Sequence, residues 1–252
     1  MEGENGKKLK ILCLHGFRTS GSFLKKQISK WDPSLFIQFD MVFPDGKYPA
    51  GGKSDIEGIF PPPYYEWFQF EKDFTVYFNL EECISYLCDY ITANGPFDGF
   101  LGFSQGATLS ALLIGYQAQA RSKFRDPSIC DVAYKDPIKA KSVHFIGEKD
   151  WLKLPSEDLA SAFDKPFIIR HPQGHTVPRL DEVAISQLRK WITEEVLCQP
   201  KVEVSVCERE TDHEEKMSEK TTKIEPCGTN QDKGVNGVEI NKGSETVEVA
   251  QA

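Results

Sequence analysis

Three residues far apart in the chain carry side chains that could together activate a hydroxyl. Ser104 lies in Gly102-Phe103-Ser104-Gln105-Gly106, after the apolar pair Phe100-Leu101 and before an alanine- and leucine-rich run. A Gly-x-Ser-x-Gly turn between a strand and a helix holds its serine strained and exposed at the carboxyl end of the strand. The small flanking residues let the two backbones pass close together. A serine hydroxyl is a poor nucleophile until a base takes its proton. His175 follows Gly174 in the loop after the last apolar strand and is the preferred base. His171 is the main competitor, but it sits against Pro172, nearer the strand end. His15 adjoins the first strand and is expected to order its loop, and His144 lies inside an apolar strand. The base in turn needs an acid to hold its tautomer and to stabilise the imidazolium. Asp150 stands in the right place, just beyond the run Ser142–Ile146, with Glu148 and Asp181 as alternatives.

Attack of such a serine on a carbonyl develops an oxyanion, which needs backbone N–H donors already aimed at it. The N–H of Gln105, just after the serine and at a helix start, is one candidate. The second is expected from the loop after the first strand, where His15-Gly16-Phe17 allows a close backbone approach, and Phe17 N–H is preferred. His171 and His175 are four residues apart, a spacing that binds metal when it lies on a helix. Pro172 and Gly174 oppose a helix there, so no metal site is expected. No glycine-rich phosphate loop or dinucleotide fingerprint stands at a strand-to-helix turn. The chemistry read from these residues needs no cofactor.

The elements that must position these groups alternate. Leu9–Leu14 is a nearly continuous apolar run, as in a strand buried on both faces. A helix is expected near Ser22–Trp31, a second strand over Phe36–Val42, and an irregular stretch from Phe43 to about Phe74. That stretch holds Tyr64, Tyr65, Trp67, Phe68 and Phe70, which either line an acyl pocket or anchor the loop to the core. Asn79-x-x-Glu82 has the form of a capping box for a helix ending before Gly95. Then come a strand over Gly99–Phe103, a helix from Gln105 to about Gln119, and a strand over Ser142–Ile146. Ser156 is placed to cap a short helix reaching Phe163, and Phe167–Arg170 reads as the last strand. A final helix spans about Leu180–Leu197, with Val183, Ala184, Leu188, Trp191, Ile192 and Val196 on its buried face. Alternating strands and helices predict an α/β fold, a mostly parallel doubly wound sheet covered on both sides. Such sheets carry their ligand groups at the carboxyl ends of the strands. The chain order Ser104, Asp150, His175 is that of an α/β-hydrolase triad.

Composition divides the chain of 252 residues near Gln199. From there to Ala252 there is no Phe, Trp or Tyr, and 12 acidic residues face 7 basic ones. That segment therefore holds -5 of the net charge of -8. With so little apolar surface to bury, 199–252 reads as an acidic disordered tail, and 1–198 as the hydrolase domain. The acidic balance argues against nucleic-acid binding. The early residues contain no apolar run long enough for a signal peptide, and no stretch predicts a membrane span. The 7 cysteines are scattered without a C-x-x-C pair, as reduced thiols would be. A cytoplasmic location is expected, with nuclear entry open to a chain of 28.5 kDa. The sequence carries no signature of oligomeric state.

Taken together, the motifs resemble one family. The matching segments are Ile11-Leu12-Cys13-Leu14-His15-Gly16-Phe17-Arg18, Phe43-Pro44-Asp45-Gly46, Tyr65-Glu66-Trp67-Phe68 and Gly99 through Ala107. His144 through Asp150 and His171 through Pro178 complete the set, which spans most of residues 9–197. The chain is similar to the fungal-and-plant serine hydrolases, a family that also includes the animal ovarian-cancer-associated candidate 2 esterases. The resemblance implies a cofactor-free α/β-hydrolase acting on small-molecule carboxylic esters or thioesters. It puts nucleophile, acid and base on Ser104, Asp150 and His175.

One departure stands out. Residues 121–141 contain no strand-like apolar run, where the family pattern has an internal strand, and Ser122-Lys123-Phe124 looks like the remnant of a turn that should follow it. One internal strand between residues 120 and 142 is therefore read as missing. Neighbouring strands lie about 4.8 Å apart, whereas nucleophile and base must lie within about 2.6–3.2 Å. Closing the gap would move Asp150 and His175 relative to Ser104 by more than that tolerance. Leaving it open would strand backbone groups at about 1–3 kcal/mol each. Lower stability, lower activity or local rebuilding by 121–141 is expected. The alternative function is a catalytically impaired hydrolase fold with a binding role.

Overall fold

The computed structural model describes residues 7–72, 76–119 and 133–198. Strand β1 (Leu9–Leu14) leads through helix α1 (Gly21–Ile28) to strand β2 (Phe39–Val42). Two small antiparallel ribbons follow, β3 (Tyr48–Pro49) with β4 (Tyr65–Glu66), and β5 (Gln69–Phe70) with β6 (Tyr77–Phe78). Helix α2 (Leu80–Asn94), strand β7 (Gly99–Gly102) and helix α3 (Gln105–Gln119) come next. The chain then forms strand β8 (Val143–Gly147), helix α4 (Lys153–Ser161), strand β9 (Phe167–His171) and helix α5 (Glu182–Trp191).

Strand β1 is central, paired in parallel with β2 on one side and β7 on the other. Successive side chains of a strand point to opposite faces, and here both faces are covered. Leu12 and Leu14 enter a core with Cys83 and Leu87 of α2 and Leu109 and Leu112 of α3. Cys13 points the other way, to Leu24 and Ile28 of α1, Ile169 of β9 and Leu188 of α5. Double coverage is why Leu9–Leu14 reads as an unbroken apolar run. Full burial of each such leucine stabilises by about 1.5–3 kcal/mol.

The parallel sheet is divided. Strands run β2-β1-β7 in one part and β8-β9 in the other, and β7 does not pair with β8. Among the described residues no strand lies between α3 and β8; residues 120–132, where much of the strand-deletion reading falls, lie outside the described residues. The following part packs outside the sheets. Ile138 N–H donates to Ala162 O at 2.8 Å and Ile138 O accepts from Asp164 N–H at 2.8 Å. With Ala111, Leu159 and Phe163, Ile138 makes a third apolar cluster under α3 and α4. Across the break, Leu101 and Phe103 share one cluster with Val143 and Phe145. Side-chain packing thus joins the two parts where strand pairing does not.

Several boundaries differ from those read in the sequence. The second strand begins at Phe39 because Asp32 accepts from Ser34 N–H at 2.9 Å and Pro33 opens a 3-10 turn over Pro33–Phe36. The stretch after Phe43 carries the two ribbons. The capping box at Asn79 does not form: its φ is 61°, and its side chain donates to Gln69 Oε1 at 2.6 Å. Ser156 lies inside α4, where its hydroxyl donates to Leu152 O at 2.8 Å. The last helix starts at Glu182, where Asp181 accepts from Ala184 N–H at 2.8 Å, and continues as a π turn over Ile192–Leu197. Val183 is 65% exposed, not buried; the inward stripe is Ala184, Leu188, Trp191 and Ile192. The segment 199–252, read as a disordered tail, lies outside the described residues. Among the described residues no helix is long and apolar enough to cross a membrane.

Candidate active site

Ser104 occupies the turn from β7 to α3 with φ at 53°. Left-handed backbone is unfavourable for a residue with a Cβ, and the surrounding packing holds it there. A Cβ at Gly102 would lie 2.5 Å from Ala107 Cα, and one at Gly106 would overlap the Leu14 carbonyl. Glycine at both places is what lets α3 cross the end of β1 and β7 so closely.

The structure brings the three separated residues together. Ser104 Oγ lies 2.9 Å from His175 Nε2, and His175 Nδ1 lies 2.9 Å from Asp150 Oδ2. A carboxylate can only accept, so Nδ1 carries the proton and Nε2 is left to accept from the serine hydroxyl. Asp150 Oδ1 accepts from Leu152 N–H at 2.8 Å, which fixes the carboxylate in the turn after β8. His175 packs against the rings of Phe103 at 5.0 Å and Trp151 at 5.8 Å. The register across the divided sheet is therefore kept: serine on one part, acid and base on the other.

The rival residues do not join this chain of contacts. Glu148 pairs with Lys153 at 2.5 Å and with Arg170, and the hydrogen bond from Lys153 holds its carboxyl below the usual range. Asp181 caps α5. His171 is buried at the end of β9, and burial pushes its basicity down. Burial lowers His144 to about 4; its ring meets Phe163 edge-on. Cys13 and Cys83 are pushed up to about 12 by burial, so neither supplies a thiolate nucleophile. Among the described residues no group of three His, Cys, Asp or Glu side chains could hold a metal ion.

The loop after β1 passes the serine closely: a Cβ on Gly16 would lie 3.5 Å from Ser104 Cβ. His15 is fully buried beneath it and builds the loop. Its Nε2 accepts from Gly46 N–H at 2.8 Å, so Nδ1 carries the proton and donates to Gly16 O at 2.8 Å. Trp67 Nε1 donates to His15 O at 2.9 Å. Burial lowers His15 to about 4 and keeps it neutral. The N–H groups of Phe17 and Gln105 are not taken by any carbonyl among the described residues. The Phe17 ring rests on Phe70 at 4.8 Å, and the Arg18 guanidinium lies over the Phe17 ring, 4.6 Å from its centroid.

Two arrangements were not visible in the sequence. The Gln105 side chain grips the aromatic stretch at two points, accepting from Trp67 N–H at 3.0 Å and donating to Phe68 O at 2.8 Å. Arg18 Nε pairs with the buried Glu66 at 3.1 Å, and Glu66 also accepts from Gln69 at 2.9 Å. An acid set among Tyr64, Tyr65, Trp67 and Phe68 was the one available signal for that pair. Trp67 and Phe68 are fully buried and anchor the stretch, while Phe70 reaches the loop carrying Phe17.

A divided parallel sheet flanked by helices, with a serine at a strand-to-helix elbow and a His–Asp pair at the ends of later strands, defines an α/β-hydrolase. The structure of Zea mays acyl-protein thioesterase 2 shares this fold, with a TM-score of 0.50 and 14% identity over 77% of this chain and 96% of that one. A family model described as serine hydrolase (FSH1) matches residues 1–186, and the chain belongs to that family of hydrolases. It is similar to Homo sapiens esterase OVCA2, 30% identical over 206 residues that span 68% of this chain and 89% of that protein. It is also 28% identical over 224 residues to rhodanese-like domain-containing protein 6 of Arabidopsis thaliana, spanning 70% of this chain and 38% of that protein.

Proposed function

We propose that this hydrolase cleaves carboxylic esters or thioesters of small molecules through an acyl-enzyme formed on Ser104. The observation that carries the reading is the unbroken chain of two 2.9 Å contacts from Ser104 through His175 to Asp150. Ser104 Oγ attacks the carbonyl carbon as its proton passes to His175 Nε2. Asp150 holds the Nδ1–H tautomer and stabilises the imidazolium. The tetrahedral oxyanion is received by the N–H groups of Phe17 and Gln105. As the C–O or C–S bond breaks, His175 gives its proton to the leaving alcohol or thiol. A water then repeats the sequence at the acyl-enzyme, releases the acid and restores Ser104. The reaction uses no cofactor, and we place the protein in the cytoplasm.

The competing reading, a hydrolase fold that no longer turns over, draws on the divided sheet. A fluorophosphonate probe separates the two. Labelling of the folded chain that disappears in Ser104→Ala, together with hydrolysis of a p-nitrophenyl ester, is the expected result. Soluble, folded protein that shows no Ser104-dependent labelling would leave the inactive reading standing.

A further inference from the structure

Asp150 closes the turn after β8, and the chain bends at once into α4. Trp151 and Leu154 stand three residues apart on that bend, 69% and 71% exposed. Single exposed apolar residues are ordinary on a protein surface. These two share one turn, and one of them touches the candidate base. The Trp151 ring lies 5.8 Å from that of His175, tilted by 57°. The other aromatic neighbour of His175, Phe103, packs into the core cluster behind it. The imidazole therefore has one aromatic neighbour in the core and one facing solvent.

Acyl transfer assigns a partner to the solvent side. The nitrogen that takes the serine proton must later deliver it to the departing oxygen or sulfur, so the leaving group sits against the histidine. The carbonyl oxygen is turned away, towards the N–H groups of Phe17 and Gln105. A leaving group in reach of His175 Nε2 and projecting outward has the Trp151 ring as the exposed apolar neighbour of the base, and Leu154, three residues on, is exposed as well. Lys153, between them in sequence, is paired with Glu148 at 2.5 Å. We infer that Trp151 and Leu154 form a leaving-group shelf that favours esters or thioesters of bulky apolar alcohols or thiols. This inference rests on His175 as the base and adds the chemical class of the group it protonates.

The test compares butyrate esters that share one acyl group and differ in the alcohol: methyl, cyclohexylmethyl and choline. The unaltered chain should hydrolyse the cyclohexylmethyl ester with kcat/KM at least about tenfold above the methyl ester, a difference of about 1.4 kcal/mol. Trp151→Ala and Leu154→Ala should each shrink that ratio to within about threefold, and Trp151→Phe should restore most of it. Leu154→Ala should leave the pH profile of kcat/KM in place, since Leu154 acts on the substrate and not through His175. An unchanged ratio in both alanine variants would overturn the shelf, as would a preference for choline, whose cation would be the partner of the ring instead. If the unaltered chain is neither labelled on Ser104 nor active on any of the three esters, the hydrolase reading falls and the shelf falls with it. If it is labelled and active but indifferent to the alcohol, only the shelf falls.

Discussion

Acidification should unfold this chain through histidines that take no part in the proposed chemistry. His15 is buried and His144 half-buried, and the loss of solvent lowers both from 6.5 to about 4. Between those values the unfolded chain binds a proton at each histidine that the folded chain does not. Stability therefore falls as the pH falls, complete above about 6.5 and exhausted near 4. At 1.36 kcal/mol per pH unit, the interval is worth about 3 kcal/mol for His15. It is worth less for His144, which keeps some contact with solvent. Together they remove about 5 kcal/mol, comparable with the whole stability of many domains. His171, also lowered by burial, acts in the same direction. The exposed carboxyls of Asp32 and Glu148, lowered by hydrogen bonding, respond only further down the scale. Urea unfolding followed by tryptophan fluorescence, repeated from about pH 7 to about pH 4.5, measures the slope. His144→Asn should remove roughly one proton from it. A stability constant to within about 1 kcal/mol over that range, or a slope unaltered in His144→Asn, would refute the reasoning.

Three other outcomes are expected. Asp150→Asn should cost on the order of 10⁴-fold in kcat by favouring the wrong tautomer of His175, with the thermal midpoint little changed when read by calorimetry. Gln105→Met keeps the backbone N–H but leaves Trp67 N–H and Phe68 O unpaired in the core, a loss of about 2–6 kcal/mol in denaturant titration; a loss under about 1 kcal/mol would mean that water replaces the amide. Gly106→Ala drives a methyl into the Leu14 carbonyl, so soluble yield and Ser104 labelling should both collapse, whereas Ala107→Gly, one residue on, should leave labelling in place.

Much of this architecture is legible in the sequence because one kind of interaction decides it. Leu9–Leu14 could only be a strand covered on both faces, and Gly102-Phe103-Ser104-Gln105-Gly106 needs glycine on either side of a left-handed serine. The order of Ser104, Asp150 and His175 then places acid and base at strand ends. What escaped was settled by competition between near-equal partners. Asn79 and Glu82 have the spacing of a cap, yet the Asn79 amide binds Gln69. Val183 has the right hydrophobicity for the inward stripe, but Ala184, Leu188 and Trp191 fix the rotation of α5 and turn Val183 outward. The grip of Gln105 on Trp67 and Phe68 joins residues 38 and 37 positions apart. No local pattern records such a contact. The lack of a strand-like apolar run in 121–141 pointed to a break, but the serine–histidine contact that spans β7 and β8 was not legible.

That break gives the triad a second role. With β7 and β8 unpaired, the hydrogen bond from Ser104 to His175 is itself a fastening between the three-stranded and two-stranded parts of the molecule. Other fastenings between them include the apolar cluster shared by Leu101, Phe103, Val143 and Phe145, the bond from Trp31 Nε1 to Pro178 O at 2.7 Å, and the Arg189–Asp32 pair at 3.0 Å. Packing of this kind yields to slippage more readily than a ladder of backbone bonds, and a shift of one or two ångströms parts nucleophile from base while each half stays folded. Turnover then becomes the most sensitive gauge of alignment between the halves. Under mild denaturant or warming, ester hydrolysis should fade before circular dichroism or tryptophan emission reports any change.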